Sequence, residues 1–201
     1  LFLFVVNINA NSVNSGHAEI SLIKYNQSEL SNDKNLIGIK MDMQKNWHTY
    51  WKNPGDSGGP IKIIWKTSEN ISIGQIKWPT PELIPYDPLM TYGYKDFVIF
   101  PFEYVKNFDG NADIKLDLDF LICDDVCIPE KAKIQTTLNE IKEDIKLVEW
   151  NNKVPSIKLP VLSNVEKGFL ELRFSFNDPI KSIVFFIENE NTVDHPAEQI
   201  L

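Results

Sequence analysis

Cysteine and histidine are scarce in this sequence. Its 201 residues include two cysteines, Cys123 and Cys127, and three histidines. A closed structural zinc site needs four Cys or His ligands, and the scattered histidines do not complete one around the two cysteines. A Cys-x-x-Cys-His haem attachment motif is lacking as well. The sequence therefore predicts neither a metal nor a cofactor.

Positive charge is also in short supply. Lysine and arginine number 20 against 28 aspartates and glutamates, which gives a formal net charge of -8 at pH 7. An acidic surface repels phosphate backbones and anionic lipid headgroups, and no basic cluster interrupts it. These charges exclude nucleic acid as a partner.

Long apolar runs are absent. The longest at the N-terminus covers residues 1–6, whereas a membrane span takes about 20 apolar residues. This run resembles the end of a signal-peptide apolar region, with Ile8 and Ala10 at a tolerable cleavage site. The alternative to a signal peptide is that this apolar run forms a buried first strand of the fold. We interpret residues 1–12 as a signal-peptide remnant and the protein as exported.

Alternation with a period of two recurs along the chain and predicts β-strands. It is clearest from Ile114 to Ile122, where apolar residues alternate with Asp and Lys. Turn-forming Pro, Gly, Asn and Asp separate the apolar segments, a pattern typical of an antiparallel β-sandwich. The expected strands cover residues 17–25, 37–43, 61–66, 71–78, 96–104, 113–122, 131–138 and 170–176. A single stretch, Leu138 to Trp150, resembles a short or irregular helix.

The pattern divides the chain into two β-domains of unequal size. Residues 13–150 form the first, residues 151–160 form a linker, and residues 161–201 form an incomplete second β-domain. About forty residues rarely bury a core of their own without a metal or disulfides.

The string GDSGGP at residues 55–60 matches the nucleophile loop of chymotrypsin-like proteases. A serine nucleophile needs a His base and an orienting Asp, which that fold supplies from a whole preceding barrel. Only 56 residues precede Ser57, and neither His17 nor His48 lies in the local sequence of such a base. We interpret the string as a turn in which Asn-Pro and glycines set the backbone.

Cys123 and Cys127 are separated by three residues, so their sulfurs can meet across a tight turn. Closing so small a loop stabilises a fold by only about 2 kcal/mol, which is a weak reason for a structural bridge. Continued alternation places Cys123 on the face of Asp117 and Asp119, away from the core and open to a partner. A structural disulfide in a binding module remains the alternative. Copper binding by Met41 and Met43 is a further one, although their apolar strand face favours core packing.

Acidic residues surround the cysteine pair in sequence: Asp124 and Asp125 lie between the cysteines, and Glu130 follows. Carboxylates disfavour a neighbouring thiolate. The pair is therefore better suited to being attacked as a disulfide, or to passing on electrons once a partner has docked, than to initiating attack.

Several blocks of the sequence resemble the N-terminal domain of DsbD-like protein-disulfide reductases, especially the branch linked to suppression of copper sensitivity. The blocks occur in order over residues 17–138: NWHTYWKNPGDSG at 46–58, WPTP at 78–81, YGY at 92–94, Phe100-Pro101, and CDDVCIPE at 123–130. The string DHPAEQ at 194–199 is similar to a segment of that branch's second β-domain.

This resemblance implies an immunoglobulin-like β-sandwich in the periplasm whose catalytic residues are Cys123 and Cys127. It also implies protein partners rather than a small-molecule substrate. The electron donor that it implies is a membrane-embedded thiol domain of the same full-length protein. The implied acceptors are periplasmic thioredoxin-fold proteins, which isomerise disulfides, mature cytochrome c or resist copper stress. The spacing of the two cysteines differs from that of the better-known branch.

The acidic neighbours lead to a prediction about reactivity. The reduced thiols should react slowly with iodoacetamide, at a rate that still climbs above pH ~8.5, the ordinary pKa of a free thiol. Quenching the alkylation at timed intervals and measuring the modified fraction by mass spectrometry gives this rate. A rate that levels off below about pH 7 would show a stabilised thiolate and contradict the charge argument.

Overall fold

The structure of the chain is a computed structural model that describes residues 11–26, 35–157, 160–175, 183–190 and 192–200. Most of the interpreted signal-peptide remnant, residues 1–10, lies outside the described residues. So does Phe176, at the end of the last expected strand.

The described chain is almost entirely β-structure, with one 3₁₀ turn at Leu138–Glu140 and one short helix, α1, at Lys146–Asn151. In chain order the strands are β1 (Ser12–Asn14), β2 (Ala18–Tyr25), β3 (Asn35–Met43), β4 (His48–Gly55), β5 (Lys62–Thr67), β6 (Ile71–Ile76), β7 (Glu82–Tyr86), β8 (Leu89–Lys95), β9 (Phe97–Lys106), β10 (Asp113–Cys123), β11 (Cys127–Thr137), β12 (Lys142–Glu143), β13 (Leu162–Glu166) and β14 (Phe169–Arg173).

Two sheets pack face to face. One has the order β1-β2-β3-β9-β6, with β12 added in parallel to β2. The other has the order β11-β10-β4-β8-β7, with β5 on the same edge of β10 as β4. A separate hairpin, β13-β14, follows. The all-β prediction is confirmed, and the arrangement is that of an immunoglobulin-like antiparallel sandwich.

The alternation that predicted the strands also determines the core. Ile114, Leu116 and Leu118 of β10 are at most 2% exposed and face the opposite sheet. On the outer face Asp117 and Asp119 pair with lysines of β5 and β11 at N–O distances of 2.9–3.6 Å. Such exposed pairs contribute little to stability, so burial of the inner face holds the sheets together.

Strands β4, β7 and β8 were not expected from the sequence. The 85–88 turn was expected, and it joins β7 to β8. In β4 every residue from Thr49 to Trp51 is buried, and so is Asn53, so no alternation marks the strand. Tertiary burial on both faces hides its period.

Helix α1 closes one side of the first sheet through Leu147, which is fully buried against Ile23, Leu36 and Ile99. Gly38 permits this approach because a Cβ atom there would lie 2.6 Å from Leu147 Cδ1. The short helix is therefore part of the sandwich rather than of the segment that follows it.

Leu147→Ala should lower the free energy of unfolding by about 2–5 kcal/mol, because it leaves a cavity beside Gly38 that the sheet cannot fill. Ile145→Ala is the matched control, since Ile145 is 56% exposed, and its effect should stay within about 0.5 kcal/mol. Urea denaturation of both variants measures the difference. Equal effects would contradict the assignment of Leu147 to the core.

Candidate functional site

The β10-β11 hairpin brings the two cysteines together. The strands pair without interruption over eleven residue pairs, and the last of these sets Cys123 directly opposite Cys127. Residues 124–126 form the turn, with Asp124 N donating to Val126 O at 3.3 Å. The Cα atoms of the cysteines lie 4.2 Å apart and a disulfide joins the sulfurs.

The two cysteines differ in exposure, and not in the way the alternation indicated. Cys123 is 1% exposed, whereas Cys127 is exposed. The prediction that Cys123 is open to a partner is wrong. Cys123 does continue the alternation that turns Asp119 away from the core. It is buried because strand β4 runs beside it, with His48 paired to Cys123. The side chain of Tyr50 covers it from this strand.

Tyr50 contacts both sulfurs through its hydroxyl group. The Oη atom lies 2.7 Å from Cys123 Sγ and 3.1 Å from Cys127 Sγ. Sulfur in a disulfide carries no hydrogen, so the tyrosine donates. Burial raises the pKa of Tyr50 above its ordinary value, and a hydrogen bond with Ser57 acts in the opposite direction. The phenol is therefore protonated, as an ordinary tyrosine is, and acts as a donor at neutral pH.

The string GDSGGP forms a loop that covers the ring of Tyr50; we call residues 55–60 the glycine-rich loop. Gly58 has φ +89°, and a Cβ atom there would lie 2.1 Å from the Tyr50 ring. Only glycine fits this contact, both in conformation and in space. Asp56 anchors the loop on β8: its N–H donates to Met90 O at 3.0 Å and its carboxylate accepts from Met90 N at 2.8 Å.

Ser57 belongs to this cover and not to a catalytic triad. Its Oγ lies 3.0 Å from Thr91 Oγ1, and its hydroxyl lowers the pKa of Tyr50 through a hydrogen bond. Its hydroxyl therefore supports the loop and the tyrosine, which agrees with the exclusion of a serine protease.

The charges near the disulfide are only partly those expected. Asp124 and Asp125 are exposed beside the sulfurs. Burial lowers the pKa of His48, Lys95 lowers it further, and Asp124 opposes both. Glu130, in contrast, is buried and accepts hydrogen bonds from Ser15 Oγ at 2.5 Å and from the backbone N–H of His17. Its carboxylate is therefore occupied in the sandwich interior.

No group of three or more His, Cys, Asp or Glu side chains arranged to hold a metal occurs among the residues that the structure describes. Met41 is fully buried and Met43 is 7% exposed in the main core. Their place in the core agrees with packing rather than with copper binding.

A comparison with known families shows where this chain belongs. The model of the N-terminal region of the thiol:disulfide interchange protein DsbD matches residues 21–139, more than half of the chain. The chain belongs to the DsbD N-terminal domain family. The match spans both sheets of the sandwich and the cysteine hairpin.

Among solved structures, the N-terminal periplasmic domain of ScsB from Proteus mirabilis matches with a TM-score of 0.63 and 22% identity. The alignment covers 83% of this chain and 68% of that one. At this identity the likeness supports the fold. No curated protein matches the chain at a significant level. In the part of the chain that the structure describes, no helix has the length and apolar character needed to cross a membrane.

Sequence reasoning predicted that the two cysteines of this DsbD-family domain meet, but it missed Tyr50 beside them. No local signal distinguishes Tyr50 from the other aromatic residues of the block at 46–58. Tyr50 lies beside the cysteines because β4 pairs with β10. That pairing sets His48 opposite Cys123, 75 positions later in the sequence. The proline-glycine segment before Ser57 was expected to be a turn, whereas Pro54 and Gly55 continue β4.

Tyr50→Phe should slow reduction of the disulfide by dithiothreitol about tenfold or more. The hydroxyl is placed to donate to the thiolate that leaves when the bond opens, and a hydrogen bond to a charged group contributes about 1.5–3 kcal/mol. Stopped-flow kinetics with a thiol probe measures the rate. Tyr86→Phe is the control, because Tyr86 is 58% exposed at the far tip of the β7-β8 hairpin. An unchanged rate in Tyr50→Phe would exclude this role.

Proposed function

We propose that this domain is a periplasmic thiol-disulfide relay, in which Cys123 and Cys127 accept two electrons from one protein and pass them to another. The observation that carries the proposal is the asymmetry of the disulfide. Cys127 is exposed at the hairpin tip, whereas Cys123 is buried with the Tyr50 hydroxyl 2.7 Å from its sulfur. An attacking thiolate reaches Cys127, and the Tyr50 hydroxyl stabilises Cys123 as the thiolate that leaves.

In the first half of the cycle, a thiolate of the donor protein attacks Cys127 Sγ. A mixed disulfide forms between the donor and Cys127, the Cys123–Cys127 bond breaks, and Cys123 leaves as a thiolate that accepts the hydrogen bond of Tyr50. The second thiol of the donor then attacks the donor sulfur of the mixed disulfide. A disulfide forms within the donor, and Cys127 is released as a thiol. The domain is now a dithiol and the donor is a disulfide.

In the second half, Cys127 attacks the disulfide of the acceptor protein and forms a new mixed disulfide. Cys123 then attacks Cys127 Sγ, which reforms the internal disulfide and releases the acceptor as a dithiol. Two electrons pass in each turn. Within the DsbD family we propose a membrane-embedded thiol domain of the same full-length protein as donor and periplasmic thioredoxin-fold proteins as acceptors.

The surface around Cys127 indicates the kind of contact that a partner makes. Val126 is 63% exposed at the turn, between the cysteines and next to Asp124 and Asp125. A partner face with an apolar contact for Val126 and basic groups for the two carboxylates is complementary to this tip.

The alternative is a non-catalytic binding module whose disulfide only fastens a hairpin. A loop of this size gains about 2 kcal/mol from closure, which the eleven strand pairs of β10 and β11 hardly need. A copper-binding version of that alternative lacks accessible ligands, since Met41 and Met43 lie in the core.

The two single serine variants should behave differently. Cys123→Ser keeps the exposed thiol, and we expect it to form a mixed disulfide with oxidised glutathione readily. Cys127→Ser keeps the buried thiol and should react much more slowly. Intact-mass spectrometry over time measures both rates. Equal rates would remove the proposed order of attack.

The redox potential separates the relay from the structural disulfide. A relay disulfide should have a potential above about -300 mV, because structural disulfides typically lie below that value. Equilibration of the 201-residue chain with dithiothreitol couples gives the potential. The double variant Cys123→Ser/Cys127→Ser should stay folded and lose about 2 kcal/mol or less. A potential below the structural limit, together with unfolding of the double variant, would favour the binding-module alternative.

A further inference from the structure

Strand β4 departs from regular pairing just after Tyr50. Tyr50 pairs with Gly93 of β8, and the next pair along the two strands joins Gly55 to Thr91. Five steps along β4 thus match two steps along β8, so β4 carries three extra residues between these pairs. A bulge of this size re-aims the side chains around it and needs partners from elsewhere for its backbone and polar groups.

A distant part of the chain supplies those partners. Asn53, in the middle of the bulge, is fully buried. Its Nδ2 donates to Ile187 O at 2.9 Å and reaches Asn189 O at 3.4 Å. The neighbouring Lys52 forms an ion pair with Glu188. Residues 186–189, which we call the bracing segment, therefore lie directly against the bulge.

Apolar and aromatic contacts hold the bracing segment in this place. The ring of Phe186 packs edge-on to Tyr92 at 5.3 Å and to Trp51 at 6.1 Å. A little further along, His195 is 8% exposed, and its Nδ1 lies 3.0 Å from the Tyr92 hydroxyl. Phe186 is partly buried against the main core, and an aromatic contact of this kind contributes more than an exposed ion pair, so Phe186 anchors the segment more strongly than the Lys52–Glu188 pair does.

Asn53 also connects the bracing segment to the glycine-rich loop. Its Oδ1 accepts a hydrogen bond from Gly55 N at 3.0 Å, at the first residue of the loop. Gly58 of the same loop lies on the Tyr50 ring. A loop with glycines at 55, 58 and 59 loses much conformational freedom when it is ordered, so fixed hydrogen bonds at its start decide how well it stays in place.

We propose that Asn53 is a positioning residue for disulfide exchange. Its amide joins the bracing segment to the glycine-rich loop, and the loop holds the Tyr50 hydroxyl on the disulfide. This inference rests on the proposed function, and it adds that residues C-terminal to the expected linker at 151–160 complete the redox site.

The test is a double-mutant cycle on the 201-residue chain, read as the rate of disulfide reduction by dithiothreitol. Asn53→Ala should slow reduction about threefold to tenfold, within the usual range of coupling between residues of one network. Asn53→Asp keeps the acceptor for Gly55 but places a carboxylate against two carbonyl oxygens, so it should be slowed as well. The double variant Tyr50→Phe/Asn53→Ala should be no slower than Tyr50→Phe, because Asn53 acts through the tyrosine.

Two further variants separate positioning from general destabilisation. Phe186→Ala removes the anchor of the bracing segment without changing Asn53, and it should slow reduction in the same direction. Asn70→Ala is the matched control. Asn70 is also a buried asparagine with both amide ends bonded, to Ser68 and Asn111. It lies near the start of β10, roughly 33 Å of strand from Cys123 at 3.3 Å per residue.

Independent rate effects in the double variant would overturn the proposal, as would a normal rate in both Asn53→Ala and Phe186→Ala. Equal slowing by Asn70→Ala would overturn it too. Amide hydrogen exchange of residues 55–60 measures how firmly the glycine-rich loop is held, and this measurement does not depend on the proposed function. Faster exchange in Asn53→Ala and Phe186→Ala supports the brace even if the wild-type disulfide fails to exchange with glutathione, whereas unchanged exchange refutes it.

Discussion

The uninterrupted pairing of β10 with β11 is the constraint on which the rest of the site depends. Eleven pairs in register place Cys123 opposite Cys127, and they direct the apolar residues of β10 into the core. A slip by one residue would expose that apolar face and separate the sulfurs at the same time. Folding of the core and assembly of the disulfide therefore require the same register.

The second strand beside the cysteines, β4, makes the two sulfurs chemically unequal. It takes over the edge of β10 where β5 ends: β5 pairs with Ile114 to Asp119, and β4 meets Cys123. Between the two pairings, Thr49 Oγ1 donates to Leu121 O at 3.0 Å. Tyr50 follows on the same strand and covers the sulfur of Cys123. The inequality is thus a product of sheet topology, not of the residues between the cysteines.

This origin explains how far the sequence could be interpreted. Alternation in β10 and turn residues around it were enough to predict the sandwich and the meeting of the cysteines, because those depend on local pattern. The burial of Cys123 could not be predicted, since it depends on β4, whose buried faces carry no alternation. The engagement of Glu130 by Ser15 and His17 was equally hidden, because these residues lie 115 and 113 positions away.

A single exposed sulfur has a kinetic consequence for a relay. Because Cys127 is the exposed member of the pair, the electron donor and the electron acceptor of the proposed relay would occupy the same place on the surface in turn. They are then competitors for one site, and turnover follows a ping-pong scheme in which excess of either partner inhibits the reaction of the other. The concentration of each partner relative to its own affinity for this site would set the flow of electrons through the domain.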